Sequence, residues 1–172
     1  YRSSSTQANW SIVLEPSSAM ISVIAVSPDF MQDSTVIVAR TTGNLLISTD
    51  GGTQWNDKGI PAGAIIYDIT IAPGNAKEIF LATSDGVYYS NDRGDTFTRK
   101  PANLPVEIIN NIAVSPNYLI DKTVFCTTIT HAVYKSTNGG NSWVLHKSGA
   151  VITGQSPSIL NEFSELQISN TF

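Results

Sequence analysis

The side chains that could do chemistry are few and lie far apart in the sequence. The candidates for a binding face are Arg40, Asp68, Asp85 and His131. Two aspartates could serve as the acid and base of a glycosidase, but their carboxylates must then meet across a substrate. Nothing in the sequence pairs Asp68 with Asp85. We interpret His131 as an exposed residue at the tip of a loop, although a histidine could also act as a base or a ligand.

None of the common catalytic arrangements is recognisable. The sequence has no Ser-His-Asp order, no phosphate-binding glycine loop and no metal-ligand spacing. Cys126 is the only cysteine, so no disulfide and no thiolate cluster can form within the chain. We interpret it as a small buried hydrophobic residue. We therefore assign no catalytic residue, no metal and no cofactor.

Charge and hydropathy argue against two further classes of function. Ten Lys and Arg residues and 14 Asp and Glu residues give a net charge of -4. The basic residues are scattered rather than clustered, so we expect no nucleic-acid partner. No apolar segment reaches the length of a membrane span, so we expect no transmembrane helix.

A sequence repeat predicts the secondary-structure elements that position the candidate residues. The motif STDGGTQW at 48–55 recurs as SNDRGDTF at 90–97 and as STNGGNSW at 136–143, and a degenerate copy ends at Trp10. The aromatic end of the motif therefore returns with a period of roughly 42 to 46 residues. Such a period is typical of four-stranded propeller blades.

Between the motifs, each repeat contains apolar runs of strand length and no helical period. The predicted first strands are 21–26, 65–71 and 108–114, the second strands 35–39, 78–82 and 123–127, and the third strands 45–47, 87–89 and 133–135. A fourth strand follows each aromatic residue. The first runs are nearly continuous and end at a proline, so we expect them to be buried on both faces.

The repeat also predicts how the chain is divided. Residues 21–62, 63–104 and 105–148 correspond to three whole blades, and residues 1–20 to the end of a blade. Residues 149–172 correspond to a linker and the first strand of the next blade. Both ends of the chain are therefore expected to fall within a blade.

The motif S-x-D-x-G-x-x-W resembles the Asp-box, or BNR, repeat found in sialidases, Vps10/sortilin-type receptors, xyloglucan-cleaving glycosidases and propeller-type photosystem II assembly factors. The resemblance covers nearly the whole chain. It implies an all-β fold, a partial or multi-blade β-propeller of four-stranded antiparallel blades with Asp-box hairpins on the outer rim. The structural Asp-box residues are then Ser48, Asp50, Gly52, Trp55, Ser90, Asp92, Gly94, Phe97, Ser136, Asn138, Gly140 and Trp143.

The residue types of the Asp-box suit a structural turn. The Ser48 and Asp50 side chains can bond to amides of the turn, Gly52 can take a positive φ, and Trp55 can cover the joint between blades. The alternative, a calcium loop, needs acidic residues at alternating positions and a closing glutamate. The sequence supplies neither.

In propellers of this family, ligands usually meet the face that carries the loops between the second and third strands. The resemblance places Gly43, Asp85 and His131 at equivalent positions of these loops, and Asp68 on a first strand that lines the channel. Their variety fits either ordinary surface variation or a tailored surface, and Asp68 fits either channel water or a polar ligand on the axis. A sialidase needs an arginine cluster, and only Arg40 falls on this face.

We interpret the chain as a non-catalytic scaffold located outside the cell, on its surface or in the periplasm. Its partner would be a protein, or further blades, reached through open strand edges. The alternative is a glycan-binding or glycoside hydrolase propeller, sialidase-like or xyloglucanase-like, with a glycan as its partner. A third possibility is an assembly factor that docks on a membrane complex.

Overall fold

Three four-stranded antiparallel sheets follow one another along the chain, and we number them blades 1 to 3. The structure is a computed structural model. It describes residues 2–3, 10–12, 19–60, 63–100, 104, 108–130 and 132–147. In each sheet the four strands pair in the order of the sequence. The predicted all-β fold of four-stranded antiparallel blades is confirmed.

The strands have the following bounds. A separate two-stranded pair consists of β1 (Arg2–Ser3) and β2 (Trp10–Ser11). Blade 1 contains β3 (Ile21–Val26), β4 (Val36–Arg40), β5 (Leu45–Ser48) and β6 (Asn56–Lys58). Blade 2 contains β7 (Ile66–Ile71), β8 (Ile79–Thr83), β9 (Gly86–Ser90) and β10 (Thr98–Arg99). Blade 3 contains β11 (Ile109–Val114), β12 (Val124–Thr128), β13 (Val133–Ser136) and β14 (Val144–Lys147). The first three strands of every blade match their predicted ranges closely, whereas the predicted outer limits of the blades remain predictions.

Two one-turn helices, α1 (Phe30–Asp33) and α2 (Tyr118–Asp121), were not predicted from the sequence. One turn is too short to show a helical period. In blade 1 the turn is closed by Asp33, whose carboxylate accepts hydrogen bonds from Ser27 Oγ at 2.6 Å and from the Thr35 amide at 2.7 Å. In blade 3 the equivalent Ser115, Asp121 and Thr123 make the same bonds.

The hydrophobic core lies between the blades rather than within any one of them. Ile66, Ile69 and Ile71 of β7 pack in one cluster with Ile37 and Ile47 of blade 1. A second cluster joins blades 2 and 3 and is composed of Ala72, Phe80, Ala82, Val87, Leu104, Ile109, Ile112, Tyr118, Val124, Cys126 and Trp143. Cys126 is fully buried there, and this burial raises the pKa of its thiol. The first strands β7 and β11 are therefore each covered by the blade that precedes them.

The expectation that every first strand is buried on both faces is wrong for β3. Ile21, Ile24 and Val26 are 56%, 65% and 54% exposed, because no described residue covers them as blade 1 covers β7. In β7 itself Tyr67 is exposed and Asp68 is half-buried. The apolar sequence of a first strand therefore reflects contact with a neighbouring blade, and not burial by its own sheet.

The Asp-box hairpins are closed by side-chain hydrogen bonds to the backbone. Ser48 Oγ accepts a bond from the Gly52 amide at 2.8 Å and donates to Asp50 Oδ1 at 2.8 Å. Asp50 Oδ1 also accepts bonds from the Thr53 and Gln54 amides, both at 2.9 Å. The Gln54 amide, followed by the Ser48 hydroxyl, holds the pKa of Asp50 below its ordinary value. The same pattern recurs through Ser90, Asp92 and Gly94 in blade 2 and through Ser136, Asn138 and Gly140 in blade 3.

Each of the last two Asp-boxes also packs against the preceding blade. A Cβ atom added to Gly94 would lie 2.5 Å from Ile47 Cδ1 of blade 1, and Phe97 packs on the same core cluster. In blade 3, Gly140 approaches Phe80 of blade 2, and Trp143 is only 2% exposed. The aromatic end of the box thus lies at the joint between two blades.

Two neighbouring positions of the second Asp-box test this packing. Replacing Gly94 by alanine should lower the free energy of unfolding by about 2–4 kcal/mol, because a φ of +81° and the contact with Ile47 both oppose a Cβ atom. Arg93 has a φ of 64° without being glycine, so Arg93→Gly should leave stability unchanged or raise it by up to about 1 kcal/mol. Urea unfolding measures both; equal losses would contradict the packing described here.

Candidate functional site

We call the loop face the end of the blades that carries the turns between second and third strands, described at residues 41–44, 84–85, 129–130 and 132. Arg40 ends the second strand of blade 1 at this face, and Asp85 lies in the turn of blade 2. His131 lies outside the described residues, so its position remains a prediction. We call the opposite end, with the Asp-boxes and the two helices, the box face.

Asp68 joins two first strands. Its Oδ1 accepts a hydrogen bond from the Ile69 amide at 2.8 Å, and its Oδ2 accepts one from the Ile112 amide of blade 3 at 2.8 Å. A β-bulge between Ile66 and Asp68 precedes it, and an equivalent bulge occurs in the first strand of each described blade. The carboxylate therefore satisfies backbone donors on both sides of a joint.

The polar residues within β11, the first strand of blade 3, also form hydrogen bonds. Thr127 Oγ1 lies 2.9 Å from Asn110 Oδ1 and 3.3 Å from Asn111 Oδ1. Asn111 is almost completely buried, whereas Asn110 is half-buried. These amides link the first and second strands of blade 3 and are used by the fold.

Asp85 belongs to a small cluster within blade 2. Its Oδ2 accepts a hydrogen bond from Tyr88 Oη at 2.9 Å and lies 3.5 Å from Arg99 Nε. Burial and the bond to Asp85 both raise the pKa of Tyr88. The sequence leaves Arg40 as the only arginine expected on this face, but the guanidinium of Arg99, on β10, reaches the turn at Gly86. The structure thus brings Arg99 to Asp85, and gives no described contact between Asp85 and Asp68.

Among the described candidates, Arg40 is the one with a side-chain nitrogen that lacks a partner. Its Nε atom is buried and has no hydrogen-bond partner in the described part of the chain. Its backbone amide donates to the Asn44 carbonyl at 2.9 Å and so closes the turn of blade 1. No second arginine accompanies it at this turn within the described residues, so the geometry offers one guanidinium and not a cluster.

A pocket opens at the loop face where blade 1 connects to blade 2. Its volume is about 250 Å³. It is lined by Thr41, Thr42, Gly43, Asn44, Gly59, Ile60, Gly63, Ala64 and Ile65. The lining offers hydroxyl, amide and backbone groups beside two isoleucines, and no ionisable side chain is among them. Such a surface suits uncharged hydrogen-bonding groups next to an apolar one.

On the box face, sequence reasoning missed a carboxylate that joins blades 2 and 3. Glu78 Oε2 accepts hydrogen bonds from Tyr118 Oη at 2.8 Å and Tyr89 Oη at 3.0 Å, and Lys122 Nζ lies 3.2 Å from Oε1. The Glu78 side chain is 12% exposed. No repeat signal could reveal it, because the equivalent residues of blades 1 and 3 are Thr35 and Thr123.

The Glu78 cluster has the geometry of a clamp and not of a nucleophile. Burial raises the pKa of Glu78, but the bonds from Tyr118, Tyr89 and Lys122 outweigh it and hold the pKa below its ordinary value. Burial and the bond to Glu78 raise the pKa of Tyr89 to about 12 and raise that of Tyr118 further. Both phenols therefore stay protonated and act as donors.

No group of three or more potential metal ligands occurs within the described ranges. The Asp-box carboxylates are used by their own turns, since Asp92 Oδ1 accepts from the Thr96 amide at 2.9 Å and from Ser90 Oγ at 2.7 Å. The Thr96 hydroxyl and amide are the main reason that the pKa of Asp92 falls to about 2. These loops are hairpin closures in the structure.

Consecutive four-stranded blades closed by Asp-boxes define the chain as part of an Asp-box β-propeller. The sequence then identifies the family. Residues 43–156, more than half of the chain, match the model of the Sortilin-Vps10 family, described as sortilin, neurotensin receptor 3. The chain belongs to this family, and the predicted resemblance to Asp-box propellers is confirmed. Comparison with curated proteins gives no match.

Solved structures support the fold. An ancestral GH74 enzyme superposes with a TM-score of 0.63 at 20% identity, over 73% of this chain and 18% of that one. YCF48 bound to D1 peptide superposes with a TM-score of 0.60 at 15% identity, over 76% of this chain and 40% of that one. YCF48 from Cyanidioschyzon merolae superposes with a TM-score of 0.60 at 21% identity, over 77% of this chain and 38% of that one. The chain therefore spans less than half the length of each structure. Within the described residues, no helix has the length and hydropathy of a membrane span.

Asp68 can be tested as a joint residue. Asp68→Ala should lower the free energy of unfolding by about 2 kcal/mol. The amides of Ile69 and Ile112 would lose their hydrogen-bond acceptor, and both residues are buried, so water would not readily replace it. Asp57→Ala serves as the control, since this exposed carboxylate bonds only to the Asn44 side chain, and its loss should cost less than about 0.5 kcal/mol. Urea unfolding of the two variants compares the costs; similar values would contradict the bridging role.

Glu78 should make stability depend on pH in the acid range. Because its folded-state pKa lies below the ordinary value of 4.5, its contribution is complete above that value and is lost as the pH falls through the folded-state pKa. Glu78→Gln should remove this part of the acid slope. Tyr118→Phe, which keeps the carboxylate but removes a donor, should give an intermediate slope. Thermal melts in a series of acidic buffers measure it, and a wild-type slope in Glu78→Gln would refute the assignment.

Proposed function

We propose that the chain is part of a non-catalytic propeller scaffold that binds a protein partner outside the cytoplasm. The observation that carries this proposal is the hydrogen bonding of Asp68, the carboxylate that the family resemblance assigns to a channel-lining first strand. One of its oxygens accepts a hydrogen bond from a backbone amide of blade 2, and the other accepts one from a backbone amide of blade 3. A general acid or base must reach the proton that it transfers, and Asp68 is instead held by the framework.

The contacts of Asp85, in the turn of blade 2, also support a non-catalytic role. Its carboxylate bonds to Tyr88 and lies beside Arg99, both of blade 2. A glycosidase mechanism needs two carboxylates at a defined separation on either side of a sugar. Asp68 and Asp85 have separate partners, so each acts within the fold and not as one half of a catalytic pair.

The pocket at the loop face supplies a place for a peptide segment. Thr42 and Asn44 offer side-chain hydrogen-bonding groups, and Ile60 and Ile65 offer an apolar wall. Backbone groups of a bound strand could pair with this polar rim while one side chain contacts the isoleucines. The structure of YCF48 bound to D1 peptide supports a protein partner for a propeller of this type, and the family supports a location outside the cytoplasm.

A displayed peptide library tests the proposal. Peptides selected on the purified chain should bind with an affinity measurable by titration calorimetry. Thr42→Trp, which fills the pocket from an exposed position, should weaken binding at least about tenfold. Thr130→Trp on the equivalent turn of blade 3 is the matched control and should leave affinity unchanged.

The same preparation should be tested with xyloglucan and with sialosides, which examines the glycan alternative directly. The scaffold proposal expects no release of sugar and no saturable binding. Turnover of either substrate, or failure to select any peptide sensitive to Thr42→Trp, would overturn it.

A further inference from the structure

The Asp-box of blade 3 contains an asparagine where the boxes of blades 1 and 2 contain an aspartate. Asn138 holds the position of Asp50 and Asp92, and Gly139 follows it directly. No other asparagine in the sequence precedes a glycine. In such a pair the backbone nitrogen of the glycine can attack the side-chain amide carbon of the asparagine, because glycine has no Cβ atom that hinders the approach.

This reaction converts the asparagine to an acid and needs only water. The Gly139 nitrogen forms a bond to Asn138 Cγ and loses its proton, while the bond from Cγ to Nδ2 breaks and ammonia leaves. Water then opens the cyclic imide at one of its two carbonyl carbons. Attack at Cγ gives aspartate in a normal backbone, and attack at the main-chain carbonyl gives isoaspartate, in which the chain runs through the side chain.

The folded box holds both reacting groups. Asn138 Oδ1 accepts hydrogen bonds from the Ser142 amide and from Ser136 Oγ, both at 2.9 Å. Asn138 Nδ2 donates to Ser142 Oγ at 2.7 Å. The Gly139 amide donates to the Lys122 carbonyl at 2.9 Å. Since these bonds occupy the amide group and the attacking nitrogen, the reaction must wait until the hairpin opens locally.

The same box has the groups that an aspartate would use. In blade 2, Asp92 accepts hydrogen bonds from the amide and the hydroxyl of Thr96 at 2.9 and 2.6 Å. Ser142 holds the position of Thr96, and its hydroxyl oxygen already lies beside the Asn138 side chain. Rotation of this hydroxyl lets it donate to a carboxylate oxygen in place of Nδ2. Hydrogen bonds to a carboxylate are the stronger ones, so conversion to aspartate strengthens the box.

We propose that Asn138 is a site of spontaneous deamidation, that opening of the blade 3 Asp-box sets its rate, and that the aspartate product gives this box the bonds of the other two. The isoaspartate product has the opposite effect, because it adds a methylene group to the main chain before Gly139. The next residue, Gly140, donates to Ser136 Oγ at 2.8 Å and approaches Phe80 of blade 2, so this shift disturbs the joint. The proposal is independent of the peptide-binding function.

Peptide mapping by mass spectrometry tests the site after the folded chain has been incubated in mildly alkaline buffer. The mass gain of an amide-to-acid conversion should appear in the peptide that contains Asn138 before it appears in any other. Incubation of the chain unfolded in urea should raise the rate at Asn138 at least about tenfold. A protease that cuts before aspartate but not before isoaspartate separates the two products.

Variants of the box serine test the control by opening. Ser136→Ala removes the hydroxyl that bonds to Asn138 and to the Gly140 amide, and it should speed deamidation about tenfold. Ser48→Ala removes the equivalent hydroxyl from the box of blade 1 and is the matched control, with the wild-type rate at Asn138 expected. Ser142→Ala, at an exposed position, should fold normally and give a smaller acceleration. Equal acceleration by Ser136→Ala and Ser48→Ala would contradict local opening.

The variant Asn138→Asp tests the product. It should unfold at a higher urea concentration than the wild type at neutral pH. The gain should disappear in acid, because hydrogen bonds like those from Thr96 hold the pKa of Asp92 below the ordinary value of 3.8, and such stabilisation is lost as the pH falls through the folded-state pKa. A less stable Asn138→Asp at neutral pH, no deamidation of Asn138 in folded wild type and Ser136→Ala, or equal rates in folded and unfolded chains would overturn the proposal.

Discussion

The fold depends on the contact between consecutive blades, because a four-stranded sheet cannot bury its own apolar faces. The isoleucines of β7 are buried in a cluster that includes Ile37 and Ile47 of blade 1, whereas β3, which lacks a described cover, leaves Ile24 exposed. The hydrophobic effect is roughly proportional to the apolar area removed from water, so the joints, where the two core clusters lie, stabilise the fold. The strands and turns serve to present these joints in register.

Polar groups form contacts across the joints at three places. Asp68 bridges the first strands, Glu78 joins blades 2 and 3 on the box face, and Lys58 and Lys100 reach across the outer rim. Asp68 and Glu78 satisfy part-buried donors that the joint would otherwise leave without a partner, and unsatisfied buried groups are costly. The contacts of Lys58 and Lys100 are exposed to solvent. Asp68, which invites a catalytic interpretation in the sequence, is thus hydrogen-bonded to the backbone of two blades.

The sequence predicted the features that recur in every blade and missed those that occur in one blade only or are too short to show a period. The Asp-box spacing and the apolar runs located the first three strands of every described blade, since both signals recur in register. Helices α1 and α2 escaped because a single turn has no period, although the SP-x-[FY]-x-x-D-x-T pattern at 27–35 and 115–123 was there to be read. Glu78 and the contact of Arg99 with Asp85 escaped because each occurs in one blade only. Which aspartates meet is decided by the packing of blades, which no local pattern encodes.

The number of joints that a blade makes also bears on its local stability. Blade 2 shares one core cluster with blade 1 and another with blade 3, whereas each outer blade has a single described joint. In an array of blades, opening one unit removes the contacts that it makes with its neighbours, so local stability follows the number of joints. Among the described strands, we therefore expect the amides of β8, in the blade with two described joints, to exchange their hydrogens slowly.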